Sequence, residues 1–145
     1  MDFVSIRIIT DDVARLVEFY EHATEVRAAW ATDDFAELAT PHATLAIGST
    51  RTVPLFAPGS ARPAENRSVI TEFLVDDVDD VYQRLRAAGF VTDFVTEPTT
   101  MPWGNRSLLF RDPDGNLVNF FTPVTPAAVA KFAHAREAWP RTPEA

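Results

Sequence analysis

Two charged side chains occupy equivalent positions in two similar segments of the chain. Arg7 and Glu72 lie 65 residues apart, each inside an alternating apolar and polar run. One interpretation is an ion pair between the two segments, because a buried charge is tolerated only when it is paired. The other makes one of them a polar anchor for a ligand, or makes Glu72 a general base. The ion pair is the simpler interpretation, since a lone buried carboxylate is costly.

Other reactive residue types are absent or scattered. The chain has no cysteine, which excludes disulfides, thiolate metal sites and cysteine nucleophiles. His22, His42 and His134 fall on a helix, a turn and a terminal helix, and we expect all three at the surface rather than in a metal site. With only 5 glycines the chain offers no phosphate-binding loop.

In a strand, alternate side chains lie on the same face of the sheet. On the face opposite the helices, this alternation predicts mostly apolar side chains with a few polar groups, which is the usual composition of a small-molecule site. Trp103 and Arg106 belong to a Pro-Trp-Gly-Asn-Arg segment that is either a packed strand entry, with Gly104 supplying a special backbone angle, or a mobile wall of the site. The candidate ligand-binding residues are Phe3, Ser5, Arg7, Trp30, Phe35, Ile70, Glu72, Trp103, Arg106, Asn119 and Phe121.

The elements that position these residues occur twice. Ile9-Thr10-Asp11-Asp12-Val13 is echoed by Leu74-Val75-Asp76-Asp77-Val78, and each follows an alternating run typical of a strand. After each acidic pair the apolar residues take helical spacing, so the aspartates are expected to cap helix N-termini. The two helical stripes are Val13, Leu16, Val17, Tyr20 and Val78, Val81, Tyr82, Leu85.

Three further strands are predicted after each helix, which gives a βαβββ order in both halves. The predicted strands are 25–31, 34–38, 43–47, 92–96, 105–111 and 116–122. Gly89 suits a helix C-cap, and Asp112-Pro113-Asp114-Gly115 suits a tight turn. A terminal helix over about 127–138 would have an apolar face of Val129, Phe132, Ala133 and Trp139.

We therefore expect an α+β fold in which two tandem βαβββ modules form a cupped mixed sheet with helices outside, plus a short C-terminal helix. The modules would span residues 1–53 and 68–123, joined by a linker over 54–67 and followed by a helix and tail over 124–145, all in one structural domain.

Composition restricts the partners. The net charge of −8 and pI near 4.7 disfavour nucleic acid, because phosphate backbones are anionic. No run approaches the roughly 20 apolar residues of a membrane span. The N-terminus lacks the pattern of a signal peptide. We expect a cytoplasmic protein with no membrane partner.

These segments resemble the vicinal oxygen chelate superfamily, which includes glyoxalase I, extradiol dioxygenases and the bleomycin and fosfomycin resistance proteins. The resemblance rests on Asp11-Asp12-Val13 with Glu18-Phe19-Tyr20, on Val75-Asp76-Asp77-Val78 with Leu85-Arg86-Ala87-Ala88-Gly89, and on Pro102 to Asn116. It covers about residues 3 to 122. It implies the fold, but many chemistries share this scaffold.

The resemblance also implies where relatives hold a metal ion. Those positions fall here on Ser5, Ala46 (or Ile47), Ile70 and Asn119. A catalytic divalent ion typically needs at least three His or carboxylate donors, which these residues do not provide. We therefore expect no metal and no cofactor.

The resemblance is closest to the metal-free bleomycin-resistance type of binding protein. It implies a homodimer that sequesters or carries a small aromatic or amphipathic metabolite such as an antibiotic. The alternative is a glyoxalase-like or dioxygenase-like enzyme, an isomerase, lyase or cyclase that uses Glu72 as base without the usual metal site, or a lyase with an unorthodox one. A third hypothesis, a pure interaction module, predicts a cleft filled by the chain's own side chains.

Overall fold

A computed structural model describes residues 1–137, with side chains described through residue 135. Trp139, expected on the terminal helix, lies outside the described residues. The helices are α1 (Val13–Thr24), α2 (Val78–Ala88) and α3 (Pro126–Glu137), with a 3₁₀ helix at Thr50–Leu55. The strands are β1 (Ser5–Thr10), β2 (Ala29–Thr32), β3 (Phe35–Ala39), β4 (Thr44–Ser49), β5 (Ile70–Leu74), β6 (Thr99–Thr100), β7 (Asn105–Arg111) and β8 (Leu117–Pro123).

The predicted helix caps are confirmed. The carboxylate of Asp12 accepts the backbone N–H of Arg15, and that of Asp77 accepts two backbone N–H groups at the start of α2. Capping satisfies amides that have no partner within the helix. Gly89 ends α2 in the left-handed region with φ of 74°, as its position predicted. The second aspartate of each acidic pair therefore caps the N-terminus of the helix that follows it.

The strands form two sheets with the same plan. The order is β1-β4-β3-β2 in the first sheet and β5-β8-β7-β6 in the second. In each sheet the first and last strands of the module pair in parallel, and the remaining neighbours are antiparallel. The α+β class with two βαβββ modules and a C-terminal helix is thus confirmed.

The joint cupped sheet with helices outside is not formed within one chain. The two sheets are separate, and one apolar core contains both α1 and α2 together with one face of each sheet. Phe19 of α1 packs on Phe110 of the second sheet, with 6.1 Å between ring centroids. The helices lie between the sheets because both apolar helix stripes are buried most completely when they share one core.

Two strand predictions were inaccurate: the strand predicted over 25–31 spans only Ala29–Thr32, and no strand forms over 92–96. Residues 92–96 form only an isolated bridge between Phe94 and Phe110, and the edge strand β6 has two residues. The N–H groups of Val95 and Thr96 both reach the carbonyl of Leu109, a bulge-like irregularity. Pro98, which has no N–H to donate, follows two residues after Thr96.

Helix α3 packs against the side of the second sheet that faces away from the core. Phe132 lies 5.1 Å from Phe121, centroid to centroid, and Ala128 is buried. The expected apolar face was placed wrongly, because Val129 and Ala133 are exposed. In the part of the chain that the structure describes, no helix is long and apolar enough to cross a membrane.

A buried hydrogen bond ties α1 to the second module. The hydroxyl of Tyr20 donates to Oδ2 of Asp112 at 2.7 Å. The same carboxylate accepts the side chain of Asn116 and the backbone amides of Asp114 and Asn116, so it also holds the predicted Asp-Pro-Asp-Gly turn. Burial, followed by the negative charge of Asp112, raises the pKa of Tyr20 well above its usual value of 10.0.

We expect Tyr20→Phe to lower the free energy of unfolding by about 1–3 kcal/mol, because Asp112 loses a donor inside the core. Below pH 10 the phenol is protonated in both the folded and the unfolded chain. At higher pH the unfolded phenol ionises first, so stability falls until the folded-state pKa is passed. Urea unfolding at pH 8 and pH 10.5 measures this slope, which should be shallower in the variant. An unchanged slope would contradict the role given to Tyr20.

Candidate functional site

Each sheet has one face in the core and one face turned away from it. We call the outward sides the first hollow face and the second hollow face. The first is formed by Ser5, Arg7, Phe35, Glu37 and Ala46, and the second by Ile70, Glu72, Leu74, Asn105, Asn119 and Phe121, as the register of paired strands shows. Because both inward faces share one core, the two hollow faces point away from each other.

The first hollow face is covered by its own residues. The guanidinium of Arg7 lies 4.7 Å from the ring of Phe35 and 5.1 Å from that of Phe56, which follows the 3₁₀ helix. Distances below about 6 Å are those of cation–π contacts. A Cβ on Gly48 would meet Thr52 Oγ1 at 3.2 Å, so the 3₁₀ helix packs tightly on this face.

The second hollow face carries a carboxylate joined to an amide. Nδ2 of Asn119 donates to Oε2 of Glu72 at 2.7 Å, across the parallel pair β5–β8. Glu72 is exposed, whereas Asn119 is only 8% exposed. Among the described residues, neither Oδ1 of Asn119 nor Oδ1 of Asn105 has a hydrogen-bond donor. Buried acceptors are nearly always paired, so these two oxygens are unusual.

A cleft of about 1170 Å³ opens on the second hollow face. Its walls come from β5, β8, residues 103–105, the first half of α2, the Thr40–Ala43 turn, α3 and residues 23–26 at the end of α1. Glu72, Phe121, Trp103, Asn105 and Phe132 are among the residues that line it. It combines aromatic surface with a few polar groups at the volume of a drug-sized ligand.

Trp103 is held at the mouth of the cleft by the backbone beside it. Its side chain is 67% exposed. Gly104 has φ of 90°, and a Cβ there would lie 2.0 Å from Thr125 Oγ1, so only glycine fits. The N–H of Val124 donates to the Gly104 carbonyl, which joins this turn to the segment before α3. The special backbone angle predicted for Gly104 is confirmed.

The structure groups the predicted site residues into two separate sets. Glu72, Trp103, Asn119 and Phe121 lie together on the second hollow side, with Ile70 exposed on the same face. Ser5, Arg7 and Phe35 lie together on the first. Phe3 precedes β1 and is 77% exposed.

The ion pair expected between Arg7 and Glu72 does not form within the chain. Arg7 lies against two phenylalanine rings, and Glu72 accepts from Asn119. The two residues are equivalent in the repeat, as predicted, but the helices between the sheets separate the faces that carry them.

Arg106 and Trp30 lie away from both hollow faces. The guanidinium of Arg106 makes two hydrogen bonds of 2.7 and 2.9 Å to the carboxylate of Asp79 at the start of α2. This contact, above all its hydrogen bonds, lowers the pKa of Asp79. Trp30 pairs with Ala36, whose side chain points to the core. Trp30 was expected beside the site because it closes the second predicted strand; it is 46% exposed on the other face of β2.

The positions where relatives hold a metal do not present a donor set here. Ala46, rather than Ile47, faces the first hollow, since it pairs with Arg7. Ser5, Ala46, Ile70 and Asn119 supply a hydroxyl, two alkyl groups and an amide, which do not fit a catalytic divalent ion. Elsewhere in residues 1–135, no three His, Asp or Glu side chains are grouped for a metal. His22, His42 and His134 are exposed, as predicted.

Sequence reasoning missed Asn105 and Phe56 as hollow-face residues. Asn105 begins β7 directly after the Trp103-Gly104 turn, and parity with Ser107 places it on the outward face. Phe56 follows the 3₁₀ helix inside a segment interpreted as linker. Its contact with Arg7 depends on the fold-back of that segment, which no local spacing indicates.

The chain matches the family model of the Glyoxalase/Bleomycin resistance protein/Dioxygenase superfamily over residues 2–120. It therefore belongs to this superfamily, the vicinal oxygen chelate class, as its motifs predicted. A search among curated proteins finds no match.

Solved structures agree on the fold. A glyoxalase/bleomycin resistance protein/dioxygenase from Nocardioides aligns with a TM-score of 0.69 and 24% identity, over 85% of this chain and 83% of its own. A family enzyme from Burkholderia phytofirmans PsJN gives 0.74 at 18% identity, over 86% and 100%. TioX from Micromonospora sp. ML1 gives 0.63 at 25% identity, over 86% and 100%.

We expect Gly104→Ala to destabilise the protein by about 3 kcal/mol, because the substitution adds both backbone strain and a clash with Thr125. The Trp103 emission maximum should shift as its turn moves. Thermal unfolding and tryptophan fluorescence measure the two effects. Gly59→Ala is the matched control, because Gly59 has a similar φ of 74° but open space around its Cβ. Equal losses in both variants would show that the Thr125 contact contributes nothing.

Proposed function

We propose that the protein is a metal-independent binding protein that sequesters or carries a small aromatic or amphipathic metabolite, such as an antibiotic. The observation that carries this proposal is the cleft of about 1170 Å³ on the second hollow face. Trp103, Phe121 and Phe132 give it flat apolar walls, which favour offset stacking with a planar ligand. The absence of a donor set at Ser5, Ala46, Ile70 and Asn119 supports binding without a metal.

Intrinsic fluorescence tests the binding proposal directly. Titration with planar aromatic compounds should quench the emission of Trp103, which is exposed at the cleft mouth. Trp103→Ala should weaken binding by about 2- to 13-fold, since a lost stacking contact is worth about 0.5–1.5 kcal/mol.

Trp30→Ala is the matched control for this titration. Trp30 is also partly exposed, at 46%, but lies on the core side of β2, away from the cleft. Its removal should leave the affinity unchanged. If no aromatic compound binds, or if the purified protein holds one tightly bound transition metal ion per chain, the proposal fails.

We also propose that the protein works as a homodimer. The two hollow faces of one chain point in opposite directions, so they can face each other only between copies. The first face carries the guanidinium of Arg7 as well as the carboxylate of Glu37, and the cleft beside the second face has more acidic than basic residues in its lining, so Arg7 has carboxylates to meet on a second copy. Phe3, Leu55 and Phe56 are 77%, 83% and 73% exposed near the first face, and a second copy would cover them.

Light scattering during size exclusion should give twice the chain mass of 16.1 kDa. Phe56→Ser should shift the equilibrium towards the single chain, because it removes exposed apolar surface and the ring beside Arg7. Phe90→Ser is the control, since Phe90 is 39% exposed but stacks on His22 at the end of α1. A single-chain mass at micromolar concentration would contradict the dimer.

Glu72 favours one alternative function. It is an exposed carboxylate at the cleft, held by a 2.7 Å hydrogen bond from Asn119, and a positioned carboxylate can act as a general base. In that case the protein is a metal-independent isomerase, lyase or cyclase. If the protein converts a bound compound, and Glu72→Gln loses this conversion while it still binds the compound, the enzyme hypothesis is correct.

A further inference from the structure

We infer that the second-module cleft recognises a protonated amine, or another cationic donor group, carried by its aromatic ligand. This inference rests on the proposed binding function and specifies its ligand class. Three observations support it: an acceptor atom without a donor on a residue that lines the cleft, a carboxylate in the same cleft, and an excess of acidic residues around an exposed indole.

The orientation of Asn119 follows from its neighbour. A carboxylate accepts hydrogen bonds, so the amide of Asn119 must direct Nδ2 towards Glu72, which leaves Oδ1 as the free end. Asn119 is 8% exposed, and its Oδ1 has no donor among the described residues. Phe121 and Glu72, which line the cleft, share its face of the sheet. Asn119 itself does not line the cleft, so its contribution is to hold the carboxylate of Glu72, which does.

Asn105 adds a second acceptor on the same face. It lines the cleft, and its buried Oδ1 also has no donor within residues 1–135. A ligand that only accepts hydrogen bonds, such as a carboxylate, would leave the Asn105 oxygen unpaired and would face the charge of Glu72. A group with several N–H donors matches acceptors better than a neutral hydroxyl, which donates only one hydrogen bond.

The residues around the cleft carry an excess of negative charge, which has the same sign as the carboxylate of Glu72. Its lining includes five carboxylates, from Glu25, Glu72, Asp76, Asp77 and Asp80, against the two bases Arg84 and Lys131. Arg84 is already engaged, since it donates to the carbonyls of His22 and Ala23 at the end of α1 and lies 3.9 Å from the carboxylate of Glu25, which leaves four acids against Lys131. The field therefore favours a cation, in keeping with the net charge of −8.

Trp103 provides a surface suited to such a ligand. Its indole is 67% exposed and lines the same cleft as Glu72. Tryptophan is the strongest of the aromatic side chains in cation–π contacts, and the indole also stacks on flat rings. A ligand with an aromatic ring and a nearby ammonium group would use both the indole and the acceptors.

Three matched probes test this inference by titration calorimetry on the full chain: naphthylmethylamine, naphthylmethanol and naphthoate. We expect the amine to bind about 10-fold or more tightly than the alcohol, and naphthoate weakest, because a charge-assisted hydrogen bond is worth about 1.5–3 kcal/mol. The preference for the amine should shrink as salt is added, while the affinity of the alcohol stays constant.

Two variants distinguish the effect of the charge on Glu72 from the effect of a carboxylate outside the cleft. Glu72→Gln keeps an acceptor for Asn119 but removes the charge, so it should abolish most of the amine preference. Glu18→Gln, an exposed carboxylate on α1 that does not line the cleft, should leave it intact. Equal binding of amine and alcohol, or a preference that persists in Glu72→Gln, overturns the inference while the binding proposal stands. If none of the three probes binds, the binding proposal itself fails.

Discussion

The shared core between the two modules is the constraint on which the rest of this structure depends. Each module has an amphipathic helix on one face of a four-stranded sheet, and the apolar stripes of both helices are buried together. The Tyr20–Asp112 hydrogen bond and the contact of Phe19 with Phe110 join α1 to the second module at this core. With the helices inside, both hollow faces must turn outward.

The two outward faces have become different although the modules repeat each other. The 3₁₀ helix folds back on the first face, and Arg7 lies against Phe35 and Phe56 there. On the second face, α3 covers Phe121 through Phe132 but leaves a cleft beside it. The linker and the terminal helix, rather than the modules themselves, therefore decide which face retains space for a ligand.

The chemistry of the remaining cleft differs from that of a metal centre. A superfamily member that binds a metal ion would need His or carboxylate donors at four positions, which are here Ser5, Ala46, Ile70 and Asn119. These residues do not provide a donor set for a divalent metal ion. What remains is an aromatic wall at Trp103, a carboxylate at Glu72, and acceptors that lack donors. In our proposal, such a surface selects an organic molecule by shape, stacking and charge.

The local sequence determined the helices and turns of this protein, because the residues that start and end them contact atoms only a few residues away. Asp12 and Asp77 cap helices, Gly89 ends one, and Asp112 to Gly115 turns the chain between β7 and β8, each through atoms a few residues away. The family motifs gave the fold for the same reason. Only the tertiary structure decided that Arg7 and Glu72 lie on opposite sides of the core, that Arg106 binds Asp79, and that Trp30 faces inward. Those outcomes depend on how the two modules pack, on contacts between residues far apart in sequence, and on a bulge in an edge strand. The spacing of neighbouring residues does not encode any of these.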